Sequence, residues 1–412
     1  MLTEDKDTPI LRELGQQYAE IAALPIQQEK KAMWKRLNAL QPVKPLINIS
    51  QVPWHEMNVG DELTLRTEDP FCRRLEWHLR QTLYEWRHMP GDMFVEPVMV
   101  CPLVVHDTGF GIGEDVDIVK TDERNSVVSR HFHRQINSMD DLEKIKMPQV
   151  TYDAEATEAN YQRMQALFDG ILPVIKRGTT IFWFAPWDEL IRWYTVEAAM
   201  EELLLNPDLV HASIDRLVQA YLCRLDQYEE LNLLSMHDGM GTFATDELPR
   251  PGHDPAHIRP ADMWGLGAAQ IFSDVSPAMH WEFALQYEVR WFQRFGLNYY
   301  GCCEPLHRKI DVVGRIPNLR KISMSPWVDV EVGAERMGNR YVFSRKPNPA
   351  MLAVDAWDPE TARQDLVDTL TKTRAHGCVV EILLKDISTV RYQPQRLWEW
   401  SRIAAEVTQD FA

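Results

Sequence analysis

Short apolar runs alternate with stretches of helical apolar spacing from residue 270 onward, and the helical stretches open on capping residues and close on glycine. Ser276-Pro277, a cap followed by a first-turn proline, predicts a helix that places Met279, Phe283, Tyr287, Trp291 and Phe295 on one face and ends at Gly296. After it come "LNYYGCC", a predicted helix from about 305 to 313, "RKISMS", a helix over 329–337 closed by Gly338, and "RYVFSR". The last unit is the clearest. Asp358 caps, Pro359 begins, Ala362, Leu366 and Leu370 face inward, Gly377 ends the helix, and "CVVEILL" follows as a continuous apolar strand.

Apolar strands joined by helices imply a parallel sheet covered on both faces. Earlier runs, "PLINIS", "VEPVMVCPLVV", "TTIFWFA", "QIFSDV" and "LNLLSM", extend the series, and about eight such units closing on themselves give an α/β fold, a (β/α)8 TIM barrel. An open dinucleotide-binding sheet would carry a Gly-rich phosphate turn, and "GFGIG" matches neither GxGxxG nor a P-loop. Ahead of the first strand, "TPILRELGQQYAEIAAL" and "IQQEKKAMWKRLNAL" predict helices, so residues 1–44 are expected to be an N-terminal helical extension and 45–412 the barrel. "SRHFHRQ" reads as an exposed hairpin carrying His131 and His133.

Composition narrows the function. A formal charge of −17 argues against nucleic acid and anionic lipid as partners. The charged N-terminus and the lack of an apolar run of about 18 residues point to a cytoplasmic protein with no membrane segment. Six cysteines in such a chain are expected as thiols or metal ligands, and only Cys302-Cys303 is an unusual arrangement.

Chemistry is sought at the C-terminal strand ends, where barrel enzymes place it. Cys302, Cys303 and Glu304 follow "LNYYG", and His237 and Asp238 end "LNLLSMHD". Thiolates with a carboxylate or an imidazole suit zinc with one open position; the competing reading packs both cysteines between strand and helices. Glu96, His106 and Asp107 offer acid/base groups, and "GMGTFATDELPRPGHDP" a long loop over the mouth. Trp54, Trp183, Trp187 and Trp327, near predicted strand ends, would suit a flat or methylated cationic substrate. Lys346 and Asn348 in "SRKPNP" would bind a carboxylate or phosphate.

The stretch "SDVSPAMHWEFALQYEVRWFQRFGLNYYGCCEPLHRKIDVVGRIPNLRKISMSPWVDVE" with "YVFSRKPNP" resembles the uroporphyrinogen decarboxylase superfamily, in a divergent decarboxylase-like branch. "DELIRWYTVEAAMEELLLNPDLV" and "INSMDDLEKIKMP" look like the equivalent segments of that family. The resemblance implies a (β/α)8 barrel, commonly homodimeric, performing either cofactor-free decarboxylation or zinc-assisted methyl transfer with a corrinoid protein as partner. Fold alone does not choose between these.

The decarboxylases' arginine motif is replaced here by "NISQVPWHEMNVG", so a polycarboxylate lacks its clamp, and their essential aspartate corresponds to Glu96. Their late Gly-His-Gly is replaced by "LLKDIST", which puts Lys385 and Asp386 at the last strand end. The methyltransferases' His-x-Cys-Gly corresponds to "YYGCCEP", where the histidine is missing, so zinc would recruit His237 or Glu304 beside Cys302 and Cys303. The leading expectation is therefore a methyltransferase or demethylase acting on a small methylated substrate or thiol. The alternative is a metal-free decarboxylase using Glu96, His106, Asp107 and Lys385.

Overall fold

The computed structural model describes residues 6–120, 128–236 and 241–412. Its strands, in chain order, are β1 (Leu46–Ile49), β2 (Met99–Pro102), β3 (Val105–Asp107), β4 (Val116–Val119), β5 (Ser129–Phe132) and β6 (Val150–Tyr152). Then follow β7 (Val174–Arg177), β8 (Trp183–Phe184), β9 (Trp264–Gly267), β10 (Leu297–Tyr300), β11 (Leu319–Met324), β12 (Val342–Arg345) and β13 (Val379–Leu384). Seven of them form one parallel sheet in the order β1-β13-β12-β11-β10-β9-β8. β2 and β7 make a separate parallel pair, so the hydrogen-bonded ladders describe an open seven-stranded sheet rather than a closed ring.

The sheet is strongly curled. β10 and β13 are three places apart, which in a flat sheet separates them by about 14 Å, yet residues at their C-terminal ends touch across the concave side. Period-2 alternation decides what faces that side. Tyr299, Lys321, Ser323, Ser344 and Glu381 point inward and bond across it: the Tyr299 hydroxyl lies 2.7 Å from Ser344 Oγ, and Lys321 Nζ donates to Glu381 Oε2 at 2.5 Å. Lys321 and Glu381 are both fully buried.

Helices cover the outer face as the caps foretell. Ser276 accepts from Met279 N at the start of Pro277–His280, Asp329 caps Val330–Met337, and Asp358 caps Pro359–Ala375. The N-terminal helices, Asp7–Ala22 and Ile26–Asn38, form as expected. The second lies under the N-terminal end of the sheet: Trp34 is buried with Nε1 donating to Asp92 O at 2.7 Å, and Lys321 Nζ stands 5.7 Å from its ring.

Four expectations for elements change. "QIFSDV" is not a strand; β9 precedes it, and Gln270–Phe272 is a 3-10 turn. The strand "WGLG" is hidden in the sequence by its glycines, where a Cβ would meet Asn298 Oδ1 from Gly265 and would stand 2.5 Å from Phe184 O from Gly267. "LNLLSM" contributes only a bridge from Leu234 to Thr179. "VEPVMVCPLVV" yields two separate strands, β2 ending at Pro102 and β3 pairing antiparallel with β6. The helix predicted from 305 shortens to Ile310–Val313. β4 and β5 do form the antiparallel hairpin expected around His131.

Candidate active site

β10 is buried along its whole length and ends at Gly301, whose φ is +102°. A Cβ there would stand 2.5 Å from Leu306 Cδ1 and 2.9 Å from Ser323 Cβ, so only glycine allows the chain to turn off the strand this closely. The turn presents Cys302 to the concave side. The Cys302 backbone N–H donates to Glu304 Oε2 at 2.8 Å, and its carbonyl accepts from Ser323 Oγ and Lys346 Nζ, each at 2.8 Å. Lys346, itself buried, also donates to Ser323 Oγ at 2.5 Å. Three elements thus fix one cysteine.

Its sulfur meets a fourth. Lys385, just past β13, donates from Nζ to Cys302 Sγ at 2.9 Å, and the same ammonium lies 3.1 Å from Asp386 Oδ2. Cys303 Sγ stands 3.6 Å from Cys302 Sγ and 3.7 Å from Asp386 Oδ2. Asp386 is held in place by its N–H, which donates to Gln51 Oε1 beyond β1 at 3.0 Å.

The electrostatics sort the two thiols. The Cys303 thiol donating to it, with the ammoniums of Lys346 and Lys385, outweighs burial and pulls the Cys302 pKa down to about 6. Cys303 moves the opposite way, raised by the Cys302 sulfur it donates to and by burial, so the pair loses one proton near neutrality and keeps the second. Burial lowers the pKa of Lys385, but the Cys302 thiolate and Asp386 more than restore it, leaving it raised. Burial raises Glu304 and lowers Lys346. At neutral pH the centre is therefore a thiolate–ammonium pair with a neutral thiol beside it.

Behind the turn, His280 Nε2 lies 2.8 Å from the Tyr300 hydroxyl, which reaches Glu288 Oε2 at 3.4 Å. All three are buried, and burial drives His280 down to about 3, keeping it neutral, and pushes Glu288 well up.

The other expected residues lie elsewhere or play other parts. Glu96 precedes β2 and pairs with Lys31 at 2.8 Å and Arg177 at 3.4 Å. His106 and Asp107 are exposed on β3, where Asp107 Oδ2 pairs with Arg224 Nε at 2.7 Å. His237 and Asp238 lie outside the described residues. Trp187 is buried, with Nε1 donating to Phe283 O at 2.9 Å, and Trp54 packs edge-on against Trp77 and Tyr84. Trp183 and Trp327 are exposed, at 44% and 68%; Trp183 opens the two-residue β8, and Trp327 follows the C-terminal end of β11. Asn348 Oδ1 accepts from Ala350 N at 3.0 Å and caps the turn after β12.

As for zinc, Glu304 is turned to the backbone of Cys302, and the cation against Cys302 Sγ is Lys385. Among the described residues no group of three or more His, Cys, Asp or Glu side chains is arranged to hold a metal ion. The described donors alone do not fit that group, and no step below is routed through it.

Ser323 and the interior pair Lys321–Glu381 were not singled out from the sequence. The sign was there in "KISMS", "FSRK" and "VVEILLK": polar residues two apart in otherwise apolar strands.

No protein-family model matches this chain, and no curated protein matches it in sequence. A solved methyltransferase from Methanosarcina mazei is similar in structure, with a TM-score of 0.52 at 12% identity, covering 93% of this chain and 98% of that one. At that identity the likeness is one of fold. No helix among the described residues is long and apolar enough to cross a membrane.

Proposed function

We propose that this chain is a methyl-transferring enzyme of a uroporphyrinogen decarboxylase-like (β/α)8 scaffold, with Cys302 as its nucleophile. The observation that carries the reading is the contact of Lys385 Nζ with Cys302 Sγ at 2.9 Å, at the C-terminal end of a curled parallel sheet. The barrel itself is supported by that curl, by the β2–β7 pair as a source of the missing strand, and by the full-length fold likeness to a methyltransferase.

The chemistry is a displacement at carbon. The Cys302 thiolate attacks the methyl carbon of a donor CH3–X; the S–C bond forms as the C–X bond breaks, and X leaves with the bonding pair. A thiolate is the reactive form, and the Cys303 thiol, with Lys346 and Lys385, maintains it at neutral pH. After transfer the sulfur is a neutral thioether, and Lys385 retains Asp386 as its counter-charge. The exposed rings of Trp183 and Trp327 suit a methylated cationic donor. A corrinoid on a partner protein would supply the methyl-carrying cobalt in such a system. Decarboxylation at Glu96 is less well supported, since that carboxylate is engaged by Lys31 and Arg177.

The test is single-turnover methylation with methylcobalamin and with a quaternary methylamine as donors, read by peptide mass. Addition of one methyl group to Cys302, absent in Cys302→Ser, is the expected result. Methylation confined to other residues, or none with either donor, overturns the proposal.

A further inference from the structure

We propose that a second small-molecule site lies at the N-terminal end of the sheet and takes an amphipathic anion, a single carboxylate or phosphate head on an alkyl or acyl body. A cavity of about 920 Å³ opens there, within the size range of small-molecule sites. Its apolar wall comes from Ile26, Met33, Leu40, Val43, Val379 and Phe411. Its charged side chains are Lys30, Arg36, Lys44 and Arg374 against the carboxylate of Asp92, and Ala412 also lines it.

Asp92 is already committed. It holds Lys44 Nζ at 2.9 and 3.0 Å and accepts from Ile47 N at 2.7 Å. Lys30, Arg36 and Arg374 form no salt bridge with a carboxylate among the described residues, in a chain whose formal charge is −17: Asp92 acts on Lys30 only through space, Arg36 donates to Pro42 O, and Arg374 stands 5.8 Å from the Phe411 ring centroid. Arg36 and Arg374 stand in the last turns of Ile26–Asn38 and Pro359–Ala375, where a cation also offsets the carbonyl end of the helix. Lys30 has no such reason to be there. It sits within its helix, half-buried, with Nζ 4.7 Å from the Trp86 ring centroid, and burial lowers its pKa. An anionic head between Lys30 and Arg374 would relieve that cost while its tail covers the apolar wall.

The two sites are independent. Val379, at the start of β13, lines this cavity and Lys385, past its end, holds Cys302, a separation of about 20 Å along the strand.

Titration calorimetry on the full chain, with decanoate as the probe and 1-decanol and inorganic phosphate as comparisons, tests the proposal. One equivalent of decanoate is expected to bind, at least ten-fold tighter than either comparison. Lys30→Gln with Arg374→Gln should weaken it ten-fold or more, and Met33→Trp, which fills the cavity without changing charge, should abolish it, both in variants with unaltered circular dichroism. Lys385→Met should leave it unchanged. Decanol binding as tightly as decanoate, phosphate binding as tightly as decanoate, indifference to Lys30 and Arg374, or loss on Lys385→Met would each overturn it.

Discussion

Replacing Lys385 by methionine keeps the unbranched side chain as far as Cε and removes the ammonium, so it isolates what that charge does for Cys302. Lys385 is largely buried, 13% exposed, and its Nζ–Sγ contact is 2.9 Å. A hydrogen bond to a charged group in such a setting contributes roughly 1.5–3 kcal/mol, which at 1.36 kcal/mol per unit corresponds to roughly 1–2 pKa units. The Cys302 titration, held at about 6 in the native protein, should therefore rise to roughly 7–8. Iodoacetamide alkylation of the peptide containing Cys302, followed against pH, measures this directly. At pH 7 the thiolate fraction, and with it the alkylation rate, should fall roughly two- to ten-fold. Asp386 loses its ammonium in the same variant, so Lys385→Met with Asp386→Asn should recover part of the shift. A midpoint that stays put or moves down in Lys385→Met would refute the assignment of Lys385 as one of the groups that keep Cys302 ionised.

Stability should carry the same imprint: with Cys302 depressed to about 6 in the fold and near ~8.5 unfolded, the unfolded chain binds more protons between these values. Stability then rises with pH across that window and is lost as pH falls through 6, and urea titrations of the native chain minus Cys302→Ala should show that slope. Gly301→Ala forces a Cβ to within 2.5 Å of Leu306 Cδ1 at a φ of +102° and should cost about 2 kcal/mol or more in urea unfolding, with Cys302 alkylation losing its low midpoint. Glu304→Gln should lie within about 1 kcal/mol of the native stability, because it keeps an acceptor for Cys302 N, whereas Glu304→Ala should lose about 2–4 kcal/mol; the reverse order would show that the acceptor is unimportant. Lys321→Met alone should destabilise by about 3–5 kcal/mol, since it strands Glu381 in the interior, and Lys321→Met with Glu381→Leu should recover most of that in the same assay.

Local chemistry made much of this fold legible in advance. Ser276-Pro277, Asp329 and Asp358-Pro359 start helices where the sequence says they should, because a cap and its proline act on the nearest turn only. β9 escaped because two of its four residues are glycines, Gly265 crowded by Asn298 and Phe295 and Gly267 by Phe184 and Phe292, contacts made by residues distant in sequence. The site divides the same way. Cys302, Cys303, Lys346 and Lys385 were visible as reactive residues at strand ends, but their grouping depends on how far the sheet curls. His106 and Asp107 share that surface pattern, and β3 carries them into a small antiparallel ladder instead. The roles of Ser323 and Glu381 were readable only from the inward parity of their strands, which is invisible until the strands are placed side by side.

The curl joins the fold to the chemistry. Lys346 and Lys385 reach Cys302 from strands two and three places away, so each adds its charge from a different direction while leaving the sulfur's own strand free of cations. Two ammoniums face a thiolate and the Asp386 carboxylate, which makes the resting centre close to neutral. In the proposed displacement the thiolate becomes a neutral thioether while both lysines stay charged, so the centre gains one net positive charge at the moment X departs with its electron pair. An acceptor that must ionise to take the methyl group onward is then favoured at the same place. A Cys302 on a flat sheet would have neither lysine within reach, and only the Cys303 thiol would remain to oppose the burial that pushes thiols such as Cys101 and Cys378 upward.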